Sequence, residues 1–220
     1  MFMTEHPVRP ALHTWPTPPD APSQVVVLVL HGGRAHDESP VRAGQLAYER
    51  MRWFARSLRS TVTEAPVSIA VLRNRMRGWN EQRLDAVADA NWALGEITRT
   101  HPRGRVLLVG HSMGGRVALR LGDAPQVCGI AALAPWLEDD EPVAHLADRS
   151  VLIAHGTRDT VTSPLRSAAY VRRATGHSAS AEYVAIDRSG HGMLQRRAAW
   201  NLVVREFLDR FFDKENDRDS

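Results

Sequence analysis

The sequence has a single cysteine, Cys128, so no internal disulfide can form; within the apolar run Val127-Cys128-Gly129-Ile130 it reads as a core residue. That usage fits a reducing compartment. No apolar run approaches the ~20 residues needed to span a bilayer, and Met1 to Arg9 lacks the apolar stretch of a secretory signal, so the expected location is cytoplasmic, with no membrane partner. Lys214 is the sole lysine. The arginines that supply the remaining basic charge are scattered without a run or an aromatic-interleaved stripe, and the net charge is only +3, which argues against a nucleic-acid partner. Paired spacings of metal ligands are missing too; His36 and Asp37 stand together without a second pair, so no metal and no cofactor is implied.

What is present suits one globular domain: 220 residues, 43% of them hydrophobic, with charges of both signs. Residues 1–23 are proline-rich and read as an extended arm in which Ala11 to Trp15 has the composition of an edge strand. The domain is expected over 24–212, followed by a disordered tail at 213–220. Its oligomeric state is not legible in the sequence.

The chain is organised around Val106-Leu107-Leu108-Val109-Gly110-His111-Ser112-Met113-Gly114-Gly115-Arg116-Val117. Arg105 to Val109 is short, apolar and partly β-branched, and reads as a buried strand, while Gly115 to Leu121 has helical spacing. Gly110 and Gly114 bracket Ser112 in a G-x-S-x-G pattern, which allows a strand to turn sharply into a helix with the serine strained and exposed at the corner. Unpaired amides of the first helical turn, that of Met113 among them, would face negative charge developing on an attacked carbonyl.

Gly110-His111-Ser112-Met113-Gly114-Gly115 resembles the nucleophile elbow of the α/β-hydrolases, a family of esterases, lipases and thioesterases, and the likeness extends from about Val25 to about Phe211. The resemblance implies a three-layer α/β fold: a mostly parallel, doubly wound sheet with helices on both faces. Val25 to Leu30 is an unbroken apolar run ending in His31-Gly32-Gly33, and in the family the loop at this place completes the oxyanion hole, which maps here to Gly33 or Arg34 together with Met113. The strand Ser150 to Ala154 leads to Asp159, which resembles the acid of the family's triad, with Asp139 and Asp140 as the fallback one strand earlier; Ser163-Pro164 already supplies a helix cap there. Ala181 to Ile186 is the last strand, and Gly190-His191-Gly192 after it matches the family's base.

About a dozen residues separate Leu137 from the strand at Ser150, too few for the helical lid that many relatives carry. Two features near the sheet's carboxyl edge are candidates for substrate contact. Arg73, Arg75 and Arg77 alternate beside Trp79, so Arg75 and Arg77 either face the cleft or, on the simpler reading, pair with local acids. Trp136 is either a wall for an acyl or alcohol group or an ordinary packing residue. The expected function is a serine esterase of the dienelactone-hydrolase-like type acting on a small-molecule ester through Ser112, Asp159 and His191. An acyltransferase using the same triad and a catalytically silent binding protein of the same fold are the alternatives.

Overall fold

A computed structural model describes residues 8–15, 25–61 and 67–216. Seven strands, β1 (Ala11–Trp15), β2 (Val25–Leu30), β3 (Val67–Arg73), β4 (Arg105–His111), β5 (Val127–Leu133), β6 (Ser150–Gly156) and β7 (Ser180–Ile186), form one sheet in the order β1-β3-β2-β4-β5-β6-β7. Only β1 is antiparallel, pairing with β3. Five helices connect or close the sheet: α1 (Leu46–Thr61), α2 (Asp85–Thr100), α3 (Met113–Arg120), α4 (Pro164–Ala174) and α5 (Arg197–Asn216).

Strand β2 shows why the apolar run is unbroken. Val25, Val27 and Val29 belong to the apolar cluster on one face, which also holds Met51 and Leu58 of α1 and Trp200 and Val204 of α5, while Val26, Leu28 and Leu30 belong to the cluster on the other face, with Leu94 of α2, Val117 of α3 and Val171 of α4. Side chains alternate across a strand, so a sheet covered on both faces needs apolar residues at every position. The chain leaves β2 toward β3 on one side and returns past it to β4 on the other, which makes the β2 and β4 ends the switch point where ligands bind in open α/β sheets.

The expected boundaries shift in two places. Ala11–Trp15, bracketed by Pro10 and Pro16, pairs along β3 with Leu12 against the core, so the sheet begins inside the proline-rich arm, ahead of residue 24. At the other end α5 runs to Asn216, past the 213 expected for the tail: buried Phe211 anchors the helix, and no Gly or Pro follows it to end the helix before Asn216; residues 217–220 lie outside the described residues. Between β5 and β6 stand loops and one 3₁₀ turn, Ala144–Leu146, and no lid. No helix among the described residues is long and apolar enough to cross a membrane.

Candidate active site

Ser112 occupies the corner between β4 and α3 at φ 57°, ψ −119°, a conformation that costs roughly 1–3 kcal/mol in a non-glycine residue and persists only where neighbours impose it. The neighbours are backbone. A side chain at Gly110 would run into the carbonyl of Gly114, and one at Gly114 would lie 2.5 Å from the carbonyl of Leu30, so both glycines of the pattern are required by close approach. The amides of Gly115 and Arg116 donate to the Ser112 carbonyl, and Ser112 N–H donates to Leu133 O at 3.0 Å, which pins the corner to β5.

The Ser112 Oγ lies 3.0 Å from Nε2 of His191, and the His191 Nδ1 lies 2.8 Å from Oδ2 of Asp159. Asp159 sits past the end of β6 and His191 past the end of β7, both at the carboxyl edge of the sheet that also carries Ser112. The Asp159 side chain is fully buried. Burial pushes its pKa up, but hydrogen bonds from His155, His191 and the amides of Thr162 and Val161 outweigh that and hold it below the usual carboxylate range. Of the two fallback acids, Asp139 pairs instead with Arg166 on the surface and Asp140 is exposed.

Two contributors to this carboxylate were not singled out in the sequence. His155, fully buried at the end of β6, directs Nε2 at Asp159 Oδ2 (3.1 Å) and Nδ1 at Ser167 Oγ (2.9 Å). Thr162 Oγ1 donates to the same carboxylate oxygen at 2.9 Å, and its amide donates to Oδ1. The spacing His155-x-x-x-Asp159 was the available signal for the first; nothing in the sequence distinguishes Thr162 from its neighbours. His111 was also passed over: its Nε2–H donates to the His191 carbonyl at 2.8 Å, and burial, followed by the charge of His191, lowers its pKa to about 3, so the ring is neutral.

The loop after β2 runs beside Ser112, with Gly32 close enough that an added side chain would begin 3.1 Å from Ser112 Cβ. Of the three amides expected at an oxyanion hole, that of Arg34 is committed to the Arg77 carbonyl at 3.0 Å, which removes it. Those of Gly33 and Met113 have no acceptor among the described residues. Trp79 and Arg75 do not line the cleft. Trp79 is 1% exposed and belongs to the core, and the Arg75 guanidinium and amide bind the buried Asp89 of α2, the local acid pairing that the simpler reading anticipated. Trp136, partly exposed, meets Trp79 edge to face, and the Arg116 guanidinium lies against both rings, 4.6 and 4.3 Å from their centroids. Arg77 does reach a cavity of about 360 Å³ beside Gly32 and Gly33.

Residues 73–150 match the model of a family described as serine aminopeptidase, S33, within a hydrolase group. A comparison with curated proteins finds no match. Among solved structures the chain is similar to an α/β serine hydrolase homologue from Coxiella burnetii (17% identity, TM-score 0.70, 94% of this chain and 96% of that one). It is similar also to a serine hydrolase without a lid from Xanthomonas campestris (18%, 0.68, 92% and 89%). A third, Est1E from Butyrivibrio proteoclasticus, was solved with ferulic acid bound (13%, 0.67, 91% and 94%). These likenesses show the fold: the chain has the α/β-hydrolase fold, in the form that carries no lid.

Proposed function

We propose that the protein is a serine hydrolase of small carboxylic esters, working through an acyl-enzyme on Ser112. The observation that carries this reading is the hydrogen-bonded relay from Ser112 Oγ through the His191 ring to the buried Asp159 carboxylate. In that arrangement Nε2 of neutral His191 takes the hydroxyl proton as Oγ forms a bond to the ester carbonyl carbon, and Asp159 stabilises the imidazolium. The carbonyl oxygen becomes an oxyanion facing the Gly33 and Met113 amides. Collapse breaks the bond to the alcohol oxygen, which leaves with the proton from His191; water then repeats the sequence and releases the acid.

The description of the matching family raises an amide substrate with a free amino terminus as a second reading. Such a substrate needs a carboxylate in the cleft to hold its ammonium group. The cavity beside Gly32 and Gly33 is lined by Arg34, Arg50 and Arg77 and by no acid, which favours esters. The absence of a lid leaves little apolar surface for a long acyl chain, at roughly 0.8 kcal/mol per buried CH₂, so short esters are the expected substrates.

The test is hydrolysis of ethyl butyrate by the parent, Ser112→Ala and Asp159→Asn. Ser112→Ala should lose nearly all activity, a loss on the order of 10⁶ in a comparable triad, and Asp159→Asn on the order of 10⁴, both with the fold retained. A Ser112→Ala protein that kept most of the parent rate would overturn the reading.

A further inference from the structure

The α1 helix places Arg50 on the cavity beside the oxyanion loop, and the residue differs from every other arginine there. Arg77 lies 3.4 Å from Asp37 and Arg34 lies 3.8 Å from the same carboxylate. Arg50 makes no ion pair or hydrogen bond with any described residue, although it is half-buried. Glu49, next to it, is engaged by Arg52 and by the Gly44 amide. Burial lowers the Arg50 pKa from its ordinary value, as expected for a charge drawn out of water without a counter-charge.

Its position joins the two halves of the site. The guanidinium borders the cavity that contains Gly32, Gly33 and Arg77, and Nη2 lies 3.7 Å from where a side chain at Gly192 would begin, next to His191. The charge is felt at His111, the residue before the nucleophile. An arginine fork presents planar, paired donors that match a carboxylate, and in a site partly removed from water the pairing is strong enough to sort substrates.

We propose that Arg50, assisted by Arg77, is an anion subsite that selects esters bearing a second, free carboxylate. The inference rests on the ester-hydrolase reading above and adds the substrate's charge. Two placements share this chemistry: the carboxylate can belong to the acyl part, as in a half-ester of a dicarboxylic acid, or to the alcohol part, as in an acylated hydroxy acid.

The experiment compares kcat/KM for monoethyl succinate against ethyl butyrate, and for O-acetyl lactate against ethyl acetate. The proteins are the parent, Arg50→Gln, Arg50→Lys and Arg56→Gln, the last changing an exposed arginine of the same helix. At least one anionic-to-neutral ratio should exceed tenfold in the parent, and the pair that shows it identifies the placement. Arg50→Gln should lower that ratio by tenfold or more, Arg50→Lys by less, and Arg56→Gln by no more than the weak, salt-screened effect of net charge. Calorimetric binding of monoethyl succinate and O-acetyl lactate to Ser112→Ala, with and without Arg50→Gln, reads the subsite without turnover, a tenfold loss of affinity being about 1.4 kcal/mol. If ethyl butyrate is hydrolysed in a Ser112-dependent way but Arg50→Gln and Arg56→Gln show equal ratios and equal binding, the subsite is wrong and the esterase stands. If no ester is hydrolysed but Arg50→Gln weakens binding, the subsite stands and the esterase reading fails.

Discussion

His111 Nε2 donates a hydrogen bond to the main-chain carbonyl of His191 at 2.8 Å, and the two rings lie 4.9 Å apart between centroids. The residue before Ser112 thereby holds the backbone of the residue whose ring faces the serine. This ties the β4 corner to the loop after β7 across 80 positions of sequence.

Replacing His111 with Leu keeps the volume and removes the donor. The His191 loop is then free to drift, and a displacement near 1 Å at a reacting group is worth about 10²-fold in rate. His111→Leu should therefore lower kcat for ethyl butyrate roughly 10²-fold with a smaller change in KM, and His111→Gln, which retains a donor, should recover part of it. Equal losses in the two variants would show that packing matters here and the hydrogen bond does not.

The buried ion pair under the elbow helix makes a separate prediction about stability. Arg116, 4% exposed and in contact with the Trp79 and Trp136 rings, donates to Glu141, which is 2% exposed and also accepts from Arg120 at 2.7 Å. Glu141→Ala strands a guanidinium inside the protein, and breaking a buried pair costs about 3–5 kcal/mol. Denaturant unfolding should show a loss of that size, with a smaller loss in Arg116→Leu/Glu141→Leu, where no fully buried charge is left behind and the partner-less Arg120 is exposed enough to be solvated. A loss under about 1 kcal/mol in Glu141→Ala would mean that water reaches Arg116.

Much of this was readable in the sequence, and the reason differs by residue. Ser112 was legible because its strain needs Gly110 and Gly114 at fixed offsets, and the sheet because strands covered on both faces leave unbroken apolar runs such as Val25 to Leu30. The tertiary partners were not legible. Arg75 and Arg77 sit two residues apart on one side of an extended segment, yet Arg75 is claimed by Asp89 of α2 while Arg77 reaches the cavity. For Trp136 a cleft wall and a packing role read equally well in the sequence, and it is the buried Arg116, in contact with both Trp79 and Trp136, that ties the two rings into packing. Arg50 carried no local signal at all, since its distinguishing feature is the counter-charge that no neighbour supplies.

Acid should destabilise the fold before it titrates the carboxylates. Burial lowers the His31 pKa to about 4 and that of His111 to about 3, against the 6.5 of a free histidine. His31 Nδ1 faces the Gly32 carbonyl at 2.7 Å and its Nε2 accepts the Asn74 amide at 3.2 Å, so a second proton has no acceptor. Both folded values lie below the unfolded one. The unfolded chain thus binds these protons first, and stability is complete above about pH 6.5 and falls toward pH 4, by up to ~1.4 kcal/mol per pH unit per histidine. The lowered Asp159 pKa adds a further loss below the ordinary carboxylate range. Unfolding free energies at a series of pH values should show this slope, and His111→Gln should make it shallower; a flat profile between pH 7 and 5 would contradict the buried neutral rings.

The central claim, that Ser112 is a nucleophile activated by His191, is tested most directly by intact-mass and peptide mass spectrometry after exposure to a fluorophosphonate. The parent should gain one phosphonyl group, located on Ser112. Ser112→Ala should gain none, and His191→Ala should react at least 10²-fold more slowly, since the proton acceptor supplies a factor of that order or more. An unlabelled parent, or label on Ser112 at the same rate with His191 removed, would contradict the account.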